Sequence, residues 1–592
     1  MLERNIVGRD RREAPFPDMG FNECVEGIVG KRFAMPTYKI LQYYPENCPQ
    51  KISGNHPVLP FAFGPLLAGS PIYSVSMNPI ELSLFVSRME AVCDEMGVVL
   101  RRTAFSPNIK DRLDFSCALF DARGELCAQA AHIPVHLGSM AYAMADIVAR
   151  FEWCKGDAVV LNDPYLGGTH LPDVTVVAPV FVDDKLQGFA VNRAHHANIG
   201  SDTPGSMPIT SSLEEEGIVI SPQYLLRAGE LNTELWRSLA PIHGQSDNFH
   251  LSGDMAAQVS SVKTGVRRMQ ELVTHLGVAR FADGLSALNA YGERVALACL
   301  KELPPGTYAF EDVMDDDGLG HTDIAIRVTL EVTEETITVD FAGTDPQVEG
   351  NINCPLPVVA AAVYYVFRCL MPDYAPACAG LFRPIQLSAP EGSIVNARPP
   401  AAVAAGNVET STRIVDVVLG ALEQALPDRI PAASQGSMNN IAMGARQPGN
   451  TWDYYETLAG GHGGGPQHAG LSARHSHMTN TLNTPVESLE MHYPIRVNRY
   501  EIRDDSGGAG QHRGGDGLVR EYEFLKPAQL SLQTERRRHA PWGLQGGKPG
   551  SCGSNQLNDS PLPGKTEINV THGDLLTIAT PGGGGWGSEA KS

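Results

Sequence analysis

Apolar and polar positions alternate with different periods in different parts of the chain. Leu82, Phe85, Met89, Val92 and Met96 recur three and four residues apart, which predicts a helix with one buried face. Asn78-Pro79 supplies its cap and a proline at the first helical position, and Gly97 is expected to interrupt or end it. Residues 115–120 and 125–129 read as strands joined at Asp121-Ala122-Arg123-Gly124, a hairpin turn. Residues 132–138 read as a loop entering a small-residue helix over 139–150, and 156–161 as a short buried strand. A β-branched run over 174–181, the polar turn Asp183-Asp184-Lys185 and a returning run over 186–192 predict an antiparallel hairpin.

Further on, 254–276 and 281–303 are two amphipathic helices parted at Gly277, with Asp283-Gly284 as a rival break. The pattern then switches to period two. Ile324, Ile326, Val328, Leu330 and Val332 alternate, followed by Ile337, Val339 and Phe341, which predicts an antiparallel meander over 306–342. Asn351-Ile352-Asn353 opens a loop into a helix over 358–371, and a glycine-bearing loop around Gly406-Asn407 precedes a helix over 412–426. A glycine-rich loop at 460–465 lies among His462, His468, His475, His477 and His492, and is read as a turn or as a place where backbone approaches a ligand. The tail over 496–586 is rich in strand signals and glycine.

The predicted class is α+β: multi-lobed, with mixed antiparallel sheets, packed helices and a β-rich C-terminal lobe. The expected divisions are an extension at 1–76, an α+β domain at 77–345, a helical and glycine-rich region at 346–495, and the β lobe at 496–592. A chain of 592 residues is too long for one core. Residues 1–76 carry eight Lys/Arg against seven Asp/Glu and little periodicity, which marks them as a loosely structured extension. The net charge of −21 argues against a nucleic-acid or anionic-membrane partner. No apolar run approaches a membrane span, since residues 58–75 are broken by Pro60, Pro65 and Pro71. Eleven cysteines without a CxxC pair or a signal peptide point to reduced thiols in a cytoplasmic protein.

The hairpin supplies the sharpest chemistry. Centred on residue 184, it sets Asp173 opposite His195, about 5 Å apart. His170 lies three residues before Asp173, on a loop freed by Gly167 and Gly168. Two imidazoles and a carboxylate make a divalent-metal site for Zn, Mn or Fe. His196 is the competing ligand, because a one-residue slip exchanges the strand's faces. Asp163 is a candidate for orienting a ligand imidazole, and His132 and His136 for lining the pocket or serving the fold. Such a centre leaves coordination positions open, which suits amide hydrolysis or enolate stabilisation during carboxylation. Other chemistries fall away. Gly564-Lys565-Thr566 has Asp559 where a phosphate-binding loop needs glycine, no G-x-S-x-G elbow occurs, and Pro466 breaks a dinucleotide spacing.

Five segments in order carry a resemblance. They are Arg102-Thr-Ala-Phe-Ser-Pro-Asn, His132-Ile-Pro-Val-His-Leu-Gly-Ser-Met, Asn162-Asp-Pro-Tyr-Leu-Gly-Gly-Thr-His-Leu-Pro-Asp, Asn480-Thr-Leu-Asn-Thr-Pro-Val-Glu-Ser-Leu-Glu and Gly507-Gly-Ala-Gly-Gln-His-Arg-Gly-Gly-Asp-Gly. With them, residues 77–592 resemble the hydantoinase B family, whose relatives include 5-oxoprolinase, caprolactamase and the acetone and acetophenone carboxylases. The resemblance implies one subunit of an ATP-dependent enzyme that opens hydantoin or lactam rings, with ATP on a hydantoinase A-type partner in a hetero-oligomer. It also implies a metal on a His-x-x-Asp plus distal His set, which falls on His170, Asp173 and His195, and it assigns no catalytic base. The expectation is an ATP-dependent hydantoinase subunit converting 5-substituted hydantoins to N-carbamoyl amino acids. The alternatives are a ketone carboxylase subunit of the acetone carboxylase type and a non-catalytic scaffold.

Overall fold

A computed structural model describes residues 77–130, 132–239, 253–447 and 450–589, so the expectation for 1–76 lies outside the described residues. The first helix, Pro79–Thr103, opens with a reciprocal cap. Asn78 Oδ1 accepts from the Ile80 and Glu81 amides at 3.0 Å each, and Glu81 Oε2 accepts from the Asn78 amide at 3.1 Å. Gly97 does not end this helix. A Cβ there would stand 2.9 Å from His132 Cε1 and 3.3 Å from the Phe115 ring, so the glycine is what lets the next layer approach.

That layer is an antiparallel seven-stranded sheet. Its strands are β1 (Phe115–Asp121), β2 (Leu126–Gln129), β3 (Ala158–Leu161), β4 (Asp173–Val182), β5 (Lys185–His195), β6 (Gln223–Arg227) and β7 (Glu230–Leu231), in the order β2-β1-β5-β4-β3-β6-β7. The helix Pro134–Arg150 covers one face, where Met140, Met144 and Ile147 pack with Phe120, Val159, Val177 and Val191. It begins five residues before the expected start because Pro134 serves as its first residue. The helix Gly253–Leu276 lies against the other face, where Gln258 bonds the Val174 carbonyl and Asn192. Burial on both faces explains why β4 reads as a continuous apolar run instead of alternating.

The expected meander forms as Gly306–Asp316, Thr322–Val332 and Ile337–Asp340, with Ile385–Ser388 added in parallel at one edge. Further along, Asn440–Gln447, Asn450–Thr457, Ala528–Gln533 and Lys565–Val570 make one sheet, and Ile495–Arg503 opens a second that includes Gly517–Phe524 and Leu575–Ala579. Met443, Tyr454 and Leu530 from one share a core with Leu518, Tyr522 and Ile578 from the other, so the β-rich region draws on strands from residue 440 onward. The glycine-rich segment 460–465 is not a tight turn but chain packed against other glycine segments, so the backbone that approaches it is the protein's own. Gly464 donates to the Gly584 carbonyl at 2.8 Å, Gly508 to Gly583 at 2.8 Å, and Gly583 to Gly515 at 2.9 Å.

Between the meander and this β region lies a buried charge cluster. Arg536 pairs with Asp312 at 2.7 Å and Asp416 at 2.6 Å, and Lys565 pairs with Glu535 at 2.6 Å. The described residues hold mixed α+β structure with several antiparallel sheets. Among them no helix is long and apolar enough to cross a membrane.

Candidate metal centre

The hairpin pairs Asp173 with His195 as expected, and the slipped register that would have favoured His196 does not occur. His196 Nε2 is instead 2.9 Å from Gln258 Oε1, on the face covered by the helix Gly253–Leu276. His170 arrives from the loop before β4. Its Nε2 lies 3.3 Å from His195 Nδ1 and 3.4 Å from Asp173 Oδ2, and His195 Nδ1 lies 3.5 Å from Asp173 Oδ1. These three residues are buried, and their ligand atoms all fall within 4.8 Å of one another. Ligand atoms held about 2.1 Å from a shared ion in tetrahedral array are themselves separated by about 3.4 Å. The observed spacings fit that requirement.

The tautomers fit as well. His170 Nδ1 is 3.2 Å from the Ala404 carbonyl and donates to it, which leaves the Nε2 lone pair facing Asp173. A cation on His195 Nδ1 would put that ring's proton on Nε2, a buried nitrogen with no partner among the described residues. Asp173 Oδ1 is likewise a buried oxygen without a hydrogen bond, while Oδ2 accepts from the Thr169 hydroxyl. An orphaned carboxylate oxygen beside two imidazole nitrogens suits a cation that satisfies it.

His136 sits closer to this carboxylate than either expected ligand, with Nε2 3.2 Å from Asp173 Oδ2 and 3.9 Å from Asp114 Oδ1. An imidazole nitrogen 3.2 Å from a carboxylate oxygen is its donor, which places the His136 proton on Nε2, and Nδ1 then accepts from the Ser116 hydroxyl at 3.4 Å. Burial alone would raise the Asp173 carboxyl, but His136 and His170 outweigh it and hold the group well below the usual range. Burial would lower His170, yet the Asp173 carboxylate raises it, whereas for His195 burial prevails and lowers it.

The other candidates lie apart. His132 Nδ1 accepts from the Cys117 amide at 3.1 Å and its ring meets Phe115 edge-on, so its role is to join β1 to the following loop. Burial lowers it to about 4, which keeps it neutral. Asp163 Oδ1 accepts from the Tyr165 amide at 3.0 Å and caps a short turn, so its carboxylate is committed there and not to a ligand imidazole.

Residues from distant segments complete the site. Tyr455 stacks on His195 with centroids 4.6 Å apart, Arg112 lies over the same ring at 4.8 Å, and Arg112 pairs with Asp114 at 3.6 Å. A small cavity opens between His136, His170 and His195 on one side and Asn407, Tyr455 and Thr457 on the other, with Met438 and Met478 adding apolar wall. Thr169 had a local signal, standing one residue before His170, but Tyr455 and Asn407 had none.

Antiparallel sheets carrying a buried histidine–carboxylate cluster define an α+β protein with a candidate metal centre. Residues 78–589 match the family Hydantoinase B/oxoprolinase, and the chain belongs to it. It is 38% identical to 5-oxoprolinase 1 of Arabidopsis thaliana over 542 residues, covering 86% of this chain but 42% of that protein. A provisionally named B-type subunit of a D-/L-hydantoinase from a Pseudomonas species is 33% identical, with 86% of this chain and 90% of that one covered. The solved ATP-dependent caprolactamase of Pseudomonas jessenii superposes with a TM-score of 0.80 at 28% identity, covering 87% of this chain and 92% of its own.

Proposed function

We propose that this chain is the metal-holding part of an ATP-dependent cyclic-amide hydrolase and that its substrates are 5-substituted hydantoins. The observation that carries the reading is the His170–Asp173–His195 set, whose spacings suit one divalent ion at the wall of a small cavity. Relatives named as a 5-oxoprolinase, a caprolactamase and one component of a hydantoinase support the substrate class. An A-type partner chain is proposed to bind ATP. The chain spans 42% of the Arabidopsis 5-oxoprolinase but 90% of the hydantoinase component, as expected where two chains share what the longer protein joins.

When bound, Zn, Mn or Fe supplies Lewis acidity toward a carbonyl oxygen or a water. The chain's own residues then have separate tasks. His170, held by the Ala404 carbonyl, and His195, held against Tyr455, present their nitrogens in fixed directions. Thr169 and His136 hold Asp173. Met438 and Met478 restrict water in the cavity. The partner would phosphorylate the ring carbonyl, and this chain would bind the activated ring and deliver water. The net reaction consumes ATP and two waters and yields the N-carbamoyl amino acid, ADP and phosphate.

The test is ATP turnover by the chain co-purified with an A-type partner, offered hydantoins, lactams, or ketones with bicarbonate. Hydantoin-dependent ADP release is expected, lost together with bound metal in His170→Ala and His195→Ala. Turnover that needs a ketone and bicarbonate would make this part of a carboxylase instead. Full activity and metal content in both variants would sink the metal reading, and an isolated chain without metal would favour a scaffold.

A further inference from the structure

We propose that Asn407 reads the ring amide of the substrate, its carboxamide pairing with the adjacent N–H and C=O of a cis-amide. The proposal rests on the cyclic-amide reading above and names the residue that enforces it.

Asn407 belongs to a π-helical turn, Gly406–Thr410, where a simple glycine-bearing loop was expected before the helix Ser411–Glu423. Such turns widen the backbone by one residue and recur at functional sites. Here the turn is wedged against the chain at residue 353, since a Cβ on Gly406 would stand 1.9 Å from the Asn353 carbonyl oxygen. Asn407 is therefore presented from a rigid support to the cavity that His136, His170 and His195 line.

Its side chain is the anomaly. Asn407 is 3% exposed, its Oδ1 is buried without a partner, and its carboxamide makes no hydrogen bond among the described residues. Of the buried asparagines nearby, Asn351, which does not line the cavity, lacks a partner at Oδ1 but is bonded through Nδ2, whereas Asn353 and Asn440 are bonded at both ends. Asn353 Oδ1 accepts from the Val348 amide at 2.8 Å while its Nδ2 donates to Gly350 and Ala402 carbonyls. Asn440 donates to Glu409 at 2.8 Å and accepts from the Tyr455 hydroxyl at 2.6 Å. An unpaired buried carboxamide is costly in the free protein, so its tolerance at a cavity wall points to a ligand that completes it.

The chemistry of that ligand follows from the group. A primary carboxamide offers one acceptor and one donor side by side in a plane. A small ring forces its amide to be cis, which sets N–H and C=O side by side in the complementary order. An open-chain secondary amide is trans and points them in opposite directions. One asparagine can thus grip a lactam or hydantoin edge twice and an extended peptide only once.

The experiment uses the full metal-loaded chain and ligand-observed NMR with δ-valerolactam and N-methyl-δ-valerolactam, the second of which lacks the N–H. The wild-type chain is expected to bind the first roughly 10- to 100-fold more tightly, the loss typical of an unpaired buried polar group. Asn407→Ala and Asn407→Leu, which is close in size but has no acceptor, should bring the two ligands within about two-fold while retaining bound metal. Equal discrimination in wild type and both variants, or no binding of δ-valerolactam by wild type, overturns the proposal. Loss of metal from Asn407→Leu also overturns it, by making the side chain part of the ion's coordination. Discrimination by wild type with no cyclic-amide turnover in the partnered enzyme would refute the hydrolase reading and leave this inference standing. Hydantoin turnover with an unchanged ligand preference in both variants would refute this inference alone.

Discussion

Replacing Gly583 by alanine should cost far more than a single methyl group suggests. The new Cβ would stand 2.0 Å from the His462 carbonyl oxygen and 2.2 Å from its carbon, so one strand of the glycine array must retreat by about 1.4 Å to restore ordinary contact. Three hydrogen bonds run through that contact. Gly583 donates to Gly515 at 2.9 Å, Gly508 donates to Gly583 at 2.8 Å, and Gly515 donates to His462 at 2.8 Å. Loosening all three costs about 3 kcal/mol, and overpacking adds about 1–3 kcal/mol, for a total of about 4–6 kcal/mol. Gly573→Ala is the control. It has a φ of +89° but nothing within 4 Å of the added Cβ, so only the backbone penalty of about 1–2 kcal/mol remains. The assay is the urea midpoint of the full chain, followed by tryptophan fluorescence. Midpoints equivalent to within about 1 kcal/mol for the two variants would refute the idea that backbone contact, not glycine flexibility, selects these residues. The array also bears on the site. His462 Nε2 donates to the His475 carbonyl at 2.8 Å, which ties the array to the segment that carries Met478 and Thr481 into the cavity.

His136→Ala should weaken metal binding by about 10- to 100-fold without abolishing it, because it removes a support of Asp173 and not a ligand. Competition with a chelator measures this, and release of metal as complete as in His170→Ala would make His136 a ligand itself. Burial, then the nearby Glu535 carboxylate, raise Glu409 from an ordinary value of 4.5 to about 7. The folded state therefore holds this proton more tightly than the unfolded one. That contribution is fully present below pH 4.5 and is lost as pH rises through 7. Glu409→Gln keeps the acceptor used by the Met438 amide and Asn440, so its stability relative to wild type should grow by about 2–3 kcal/mol between about pH 5 and pH 8. Unfolding midpoints at the two pH values that differ by a constant amount would rule this out.

How far the site could be read in advance depended on how local each part is. The pairing of Asp173 with His195 was legible, yet it arises from two departures from a simple hairpin. The turn is two residues, Asp183 and Asp184, both at positive φ, which by itself would set Asp173 opposite Ala194. A bulge between Val180 and Phe181, with Gln187 as the extra residue on the returning strand, restores the expected pairing. A centre placed half a residue late, which shifts the pairing by one, thus gave the right register, because the bulge adds the residue that the turn lacks. Gly97 and the segment 460–465 were misread for the opposite reason. Their glycines answer to His132 and to Gly515 and Gly583, which are far away in sequence, and periodicity records only a residue's own burial. The start of the helix at Pro134 was open to a local rule, and it carries His136 onto the first turn, within reach of Asp173.

The far wall of the cavity was invisible on the same grounds. Tyr455, Thr457, Asn407 and Met478 reach the imidazoles from three separate parts of the chain, and each lies in a stretch whose own pattern describes an ordinary strand, helix start or loop. The proposed ligand set is compact in sequence because metal ligation requires fixed separations of about 3.4 Å, which a hairpin enforces by itself. A wall that selects what meets such an ion need only converge in space. On the proposed reading such a chain would keep its ion site while changing its substrate, since Asn407 and Met438 line the cavity but lie outside the hairpin that pairs Asp173 with His195.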